Sequence, residues 1–325
     1  MSAEPGALEL RRRGVLGERI AALDERLDPC TLCPHRCGAH RRSGEVGQCG
    51  LGAEVRLARA CHHRGEEPPL SGTRGAGTLF FAGCNLRCGY CQNHQISRDP
   101  GAGAPVTSQA LAREMLGLQA AGCHNVELVT ATPVLPLVLE ALDIALGAGL
   151  CLPLVHNTSA YERVEVLRLL DGVVDVYLPD LKYGTAEAAV ACGAPADYVE
   201  RSQAAVLEMA RQVGPLALDA AGLARRGLLV RHLVLPADRA ATSSVLGFVA
   251  LELGPRTAVS LMAQYRPPPG LPLQPPLDRP LHAAEYDAAV AALEQWGLTA
   301  GWTQTPDAAE TYVPDFDAPR HPFEG

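Results

Sequence analysis

The sequence predicts an α/β protein with a parallel sheet, and three observations lead there. Short apolar runs alternate six times with longer stretches of helical pattern. Those runs are apolar almost throughout, as strands are when both faces of a sheet are covered. The chain has 325 residues, enough for one large domain and a small appendage. Strand and helix in that rhythm give parallel strands joined by right-handed crossovers.

Element by element, good helix formers over residues 8–26 predict a first helix. From Cys30 to about Gly77 the composition turns to Gly, Arg, His and Pro without periodicity. Such a loop-rich segment needs a ligand or a neighbouring domain to hold it. Strands are then expected at 78–82, 126–130, 152–156, 173–178, 228–235 and 259–262. Helices are expected between them at 108–121, 135–146, 161–170, 198–213 and 243–253, with a last one at 283–296. Thr107 and Ser108 are N-cap residue types for the helix at 108–121, and Gly122 ends it. The Pro-rich run 266–280 is expected to cover one edge. The divisions are therefore 1–73, a helix and Cys-rich segment; 74–305, the α/β domain; and 306–325, a polar, loosely ordered tail. Six units are fewer than a closed eight-stranded barrel needs, which leaves an open partial barrel or a doubly wound sheet. Both place chemistry at the C-terminal ends of strands.

Apolar content of 47% and charged content of 20% are those of a soluble globular protein. A net charge of −8 argues against nucleic acid as the main partner. No apolar run approaches the ~18 residues of a membrane span, so no membrane partner is expected. Arg11, Arg12 and Arg13 are not followed by the apolar core of a secretory signal, and a cytoplasmic location is expected. All but one of the 28 basic residues are arginine; the exception is Lys182.

Eleven cysteines are many for such a chain, and clustered cysteines in a large protein point to metal or redox chemistry. Cys84, Cys88 and Cys91 form a C-x3-C-x2-C run directly after the first predicted strand of the α/β domain. Three thiolates on one tight loop wrap a compact object and leave a coordination position free, the mark of a reactive centre. A zinc loop completed by a ligand from elsewhere is the alternative. Cys30, Cys33, Cys37 and Cys49 form a second group whose four thiolates would close a coordination shell. Its occupant is zinc, an iron–sulfur cluster, or no stable metal. Cys61, Cys123, Cys151 and Cys192 are read as small buried hydrophobes or inert thiols.

With Tyr90 immediately before Cys91, the run resembles the signature of the radical S-adenosylmethionine superfamily. Gly65-Glu66-Glu67-Pro68, the stretch from Gly75 to Cys84 and Cys91-Gln92-Asn93 resemble its pyruvate formate-lyase-activating-enzyme-like subgroup. Further agreement lies in Val129–Pro133, His156–Tyr161, Tyr177–Tyr183, Arg231–Pro236 and Ser260–Tyr265, covering about residues 30–305. Cys-x-x-Cys-Pro-x-x-Cys at Cys30 resembles the leading segment of that subgroup and of AmmeMemoRadiSam-type proteins.

The resemblance implies a partial (β/α)6 radical-SAM barrel with an N-terminal Cys-rich extension. It implies a [4Fe–4S] cluster on Cys84, Cys88 and Cys91, with S-adenosylmethionine on the open iron. Reductive cleavage would yield a 5′-deoxyadenosyl radical that abstracts hydrogen, with flavodoxin or ferredoxin as electron donor. Tyr90 would lie near the adenine. Thr130 and Thr132 stand where glycyl-radical-enzyme activases carry Gly-Gly-Glu to hold the cofactor's ammonium, and offer hydroxyls instead of a carboxylate. Asn157 and Ser159 would contact ribose or carboxylate. Asp180 and Lys182 form an ion pair or a substrate clamp. Arg231 and His232 are adjacent in a strand and point to opposite faces, so one reaches the lumen. Gln264 would line the end of the sixth strand. The expected target is a glycine of a partner protein. A small molecule or another protein modification is the second enzyme reading, and a non-catalytic zinc or iron–sulfur binding protein the third.

Overall fold

A computed structural model describes residues 4–305, 314–318 and 321–323. Its centre is a sheet of ten strands: β1 (Arg56–His63), β2 (Ala76–Phe81), β3 (Ala104–Pro105), β4 (Val126–Val129), β5 (Leu154–Thr158), β6 (Val176–Pro179), β7 (Ala217–Leu218), β8 (Ala224–Leu233), β9 (Ala258–Met262) and β10 (Gly301–Thr303). Along the sheet the order is β10-β9-β8-β6-β5-β4-β2-β1-β3, with β7 paired to β8. From β2 to β10 every neighbour on this path is parallel, while β1 and β3 add antiparallel pairs at one edge. The parallel strands follow chain order without reversal, so the sheet has no topological switch point. That rules out the doubly wound alternative.

The six expected strands are all present, with ends displaced by a few residues. The strand expected at 228–235 starts four residues early, at Ala224, and that expected at 173–178 starts only at Val176; Val173 and Val174 lie before it, buried against the core. β2, β4, β5, β6 and β9 are buried along their whole length, as two covered faces require. Helices Ser108–Ala120, Leu135–Gly147, Tyr198–Val213 and Ala283–Gln295 match expectation closely. Thr107 caps the first of these by accepting the Ala110 N–H at 3.2 Å.

Four departures have physical causes. The helix expected at 8–26 is two helices, Gly6–Arg12 and Val15–Asp24, because Gly14 between them adopts a left-handed conformation with φ +75°. The helix expected at 161–170 shrinks to Val164–Leu167 plus a 3-10 turn, since Tyr161 and Glu162 are drawn into buried polar contacts. The helix at 243–253 ends as a π turn over Val249–Leu253. The loop-rich segment contains β1, in which Arg56, Arg59, His62 and His63 interrupt the apolar alternation.

The described residues beyond 305 are packed. Phe316 and Phe323 stand against Phe80 with ring centroids 5.1 and 5.9 Å away. Arg59 donates to the carbonyl of Ala318 at 2.7 Å, and Gln95 donates to Asp315 and Asp317. The Pro-rich run lays Leu273 and Leu277 on the tyrosine cluster beside the cysteine loop, where Tyr265 donates to the Leu277 carbonyl at 2.6 Å. Among the described residues, no helix is long and apolar enough to cross a membrane.

Candidate functional site

The C-terminal ends of the parallel strands open on a cavity of ≈ 800 Å³. Cys84, Cys88 and Cys91 all line it. β2 delivers them through Gly83, which turns the chain with φ +77° and donates its N–H to the Ile96 carbonyl at 2.9 Å. Arg98 braces the loop from outside by donating to the carbonyls of Cys88 and Gly89, both at 2.9 Å. Two sulfurs accept hydrogen bonds, Cys84 Sγ from Leu86 N–H at 3.4 Å and Cys91 Sγ from the Ser97 hydroxyl at 3.2 Å. Burial raises the Cys84 thiol and pushes Cys88 up to about 12, with neighbouring thiols adding to both and Lys182 opposing. A bound metal reverses that balance, because its charge deprotonates a coordinating thiol outright.

No group of three His, Cys, Asp or Glu side chains among the described residues stands in metal-holding geometry. The donors themselves still suit an iron–sulfur cluster: three soft thiols from one turn, mutual electrostatic neighbours, on one wall of a large cavity. Cys30, Cys33, Cys37 and Cys49 likewise converge. Cys33, Cys37 and Cys49 each sense at least one other member, and the sulfurs of Cys37 and Cys49 both lie against Gly47.

Opposite the cysteines lies a buried polar network centred on Arg231. Its guanidinium donates to Asp180 at 2.8 Å, to Glu66 at 3.1 Å and to Asn157 at 3.0 Å. Asn157 donates to Glu127 at 2.6 Å, and Thr78 donates to the other oxygen of Glu127 at 3.1 Å. Lys182 donates to Asp180 at 2.6 Å. Although burial works against its charge, Asp180 is held at about 2 by Arg231 and then Lys182. Glu66 and Glu67 go the other way. Burial raises them to about 8 and about 7, with neighbouring carboxyls adding, against the pull of Arg231.

Most of the expected site residues meet here. Tyr90, Thr130, Asn157, Ser159, Asp180, Lys182 and Gln264 line the cavity. Tyr90 packs edge-on against Tyr183 and Tyr265. Thr130 holds the left-handed conformation at φ 61°, a strained state for a β-branched residue and one that clusters at functional sites. Gln264 accepts from Gln304 at 2.7 Å, while its backbone carbonyl takes Gln92 at 2.8 Å.

Two of the expected residues lie outside the cavity lining. Thr132 is buried away from the cavity, its hydroxyl committed to Glu162 together with those of Thr158 and the ring of His156. His232 also faces away, bonded through Nδ1 to the Leu181 carbonyl at 2.6 Å and through Nε2 to Thr242 at 3.1 Å. Strand alternation gives the lumen to Arg231 instead. Three cavity or network carboxyls, Glu66, Glu67 and Glu127, were not expected as site residues. Glu127 carried a signal, a lone charge inside the apolar strand Val126–Val129. Of the scattered cysteines, Cys61, Cys123 and Cys192 are buried as expected, whereas Cys151 is exposed.

Fold and site together define an α/β protein whose thiol-lined cavity sits at the C-terminal edge of a sequentially ordered parallel sheet. An uncharacterized protein of Methanocaldococcus jannaschii is 28% identical over 298 residues, which is 90% of this chain and 82% of that one. No family model matches.

Proposed function

We propose that the chain is a radical S-adenosylmethionine enzyme with an open, partial (β/α)6 barrel. One observation carries the reading: the three thiols of the C-x3-C-x2-C loop line a deep cavity at the end of the first parallel strand. Strand ends are where this class of fold places chemistry. Cys84, Cys88 and Cys91 would hold a [4Fe–4S] cluster, which supplies the reducing electron for cleavage of S-adenosylmethionine. Tyr90, Asn157 and Ser159 would position the cofactor, and Thr130 would offer its ammonium a hydroxyl. Lys182, held cationic by Asp180, places a fixed positive charge by the cysteine loop. The Cys30–Cys49 group would take zinc or a second iron–sulfur cluster. Flavodoxin or ferredoxin would donate the electron.

For the target, a glycine of a partner protein remains the first reading. The absence of a carboxylate in the stretch Val129–Thr132 favours the second reading, a small molecule or another kind of protein modification.

Anaerobic reconstitution with iron and sulfide tests the proposal. The protein should turn brown, and after reduction with dithionite it should release 5′-deoxyadenosine from S-adenosylmethionine. Cys88→Ala should abolish that release. Iron bound without any cleavage would instead leave a non-catalytic metal-binding protein.

A further inference from the structure

We propose that the Glu66–Glu67 end of the cavity is a subsite for a positively charged amine. The inference deepens the enzyme reading by naming a substrate class, although amine binding itself requires no cluster. Both residues lie in the connector between β1 and β2, and both line the cavity. Glu67 is 8% exposed, and its Oε2 is buried without a hydrogen-bond partner. Leaving a buried carboxyl oxygen unmatched costs about 1–3 kcal/mol in general, so a ligand donor is the natural complement.

Neither buried cation supplies that donor. Lys182 is committed to Asp180, and Arg231 spends its fork on Asp180, Glu66 and Asn157. Four carboxyls, Glu66, Glu67, Glu127 and Asp180, therefore share two cations. The groups facing Glu67 are Glu66 beside it, Arg231 on β8 and Ser260 on β9, and Glu127 on β4 faces it as well. His63 on β1 faces Glu66 and is kept neutral by burial, at about 3. The present arrangement raises both carboxyls, so that near neutral pH Glu66 is mostly protonated and Glu67 is partly so. An ammonium brings both the missing charge and three N–H donors, and on entering it displaces protons from these carboxyls. Arg64 also lines the cavity, but it is exposed and takes no part in the ion pairs of Glu66.

Isothermal titration of the full-length protein with n-butylammonium chloride tests this, with sodium butyrate and n-butanol as comparators. Butylammonium should bind with release of protons, read from buffers of different ionisation enthalpy, and should bind more tightly as the pH rises through about 7 and 8. Butyrate and butanol should bind at least about tenfold more weakly. Glu67→Gln should weaken butylammonium binding by about tenfold and reduce the proton release, leaving the share of Glu66. If thermal unfolding shows that variant misfolded, Glu66→Gln serves the same purpose. Equal binding of butyrate, or a Glu67→Gln affinity within about twofold of the parent, overturns the proposal. Release of 5′-deoxyadenosine by the reconstituted parent without amine binding sinks this inference alone. Amine binding without that release sinks only the radical reading.

Discussion

The backbone N–H of Cys84 donates to the carbonyl of Cys49 at 3.3 Å. The last member of one cysteine group is thus tied directly to the first member of the other. His35, beside Cys33, adds a second tie through the Asn85 carbonyl at 2.7 Å. The N-terminal segment is therefore a wall of the site rather than an independent appendage.

Gly83 sits at that junction. A Cβ there would approach Leu51 Cγ to 2.7 Å and the Cys49 carbonyl oxygen to 2.9 Å, at φ +77°. Gly83→Ala is expected to cost about 1–3 kcal/mol and to lower iron uptake on reconstitution. Urea denaturation and iron analysis check both; a variant as stable as the parent would mean the junction is looser than described.

The four-cysteine group should be a metal site in its own right. Replacing Cys37 by Ala is expected to lower metal content by the N-terminal share while Cys84, Cys88 and Cys91 still take up iron. Elemental analysis of purified Cys37→Ala and Cys88→Ala separates the shares. Metal content unaffected by Cys37→Ala would assign the group a purely packing role.

Arg231 is the hub of the buried network. Arg231→Met leaves Asp180 and Glu66 short of a partner and should destabilise the chain by about 3–5 kcal/mol. Arg231→Lys keeps the charge but loses the planar fork, so an intermediate loss is expected. Chemical denaturation ranks the three proteins, and a Met variant matching the parent would refute the hub.

Stability should fall from acid towards neutral pH. Glu66 and Glu67 ionise at the ordinary 4.5 in the unfolded chain but at about 8 and about 7 when folded. Between those values the folded chain binds more protons, so stability declines with rising pH, by about 1.4 kcal/mol per unit for each carboxyl. Asp180 acts in the opposite sense: its contribution is full above 3.8 and is lost only as the pH falls towards about 2. Urea midpoints between about pH 5 and 7 should drop, and drop less in Glu67→Gln. A flat profile in the parent would show these carboxyls to be ionised in the fold.

By itself, the sequence determined the α/β class, six of the seven parallel strands and both cysteine groups. Those properties are written locally, in runs of apolar residues and in ligands a few positions apart on one loop. Tertiary structure alone decided that Arg231 rather than His232 faces the cavity, and that Thr132 serves Glu162 instead. It also joined Glu66 to Arg231 across 165 residues of chain. No local period encodes a pairing of that span, because it exists only once β1, β8 and the strands between them share one sheet. The same holds for the tie between Cys84 and Cys49, which turns two separate cysteine motifs into adjoining walls of one site.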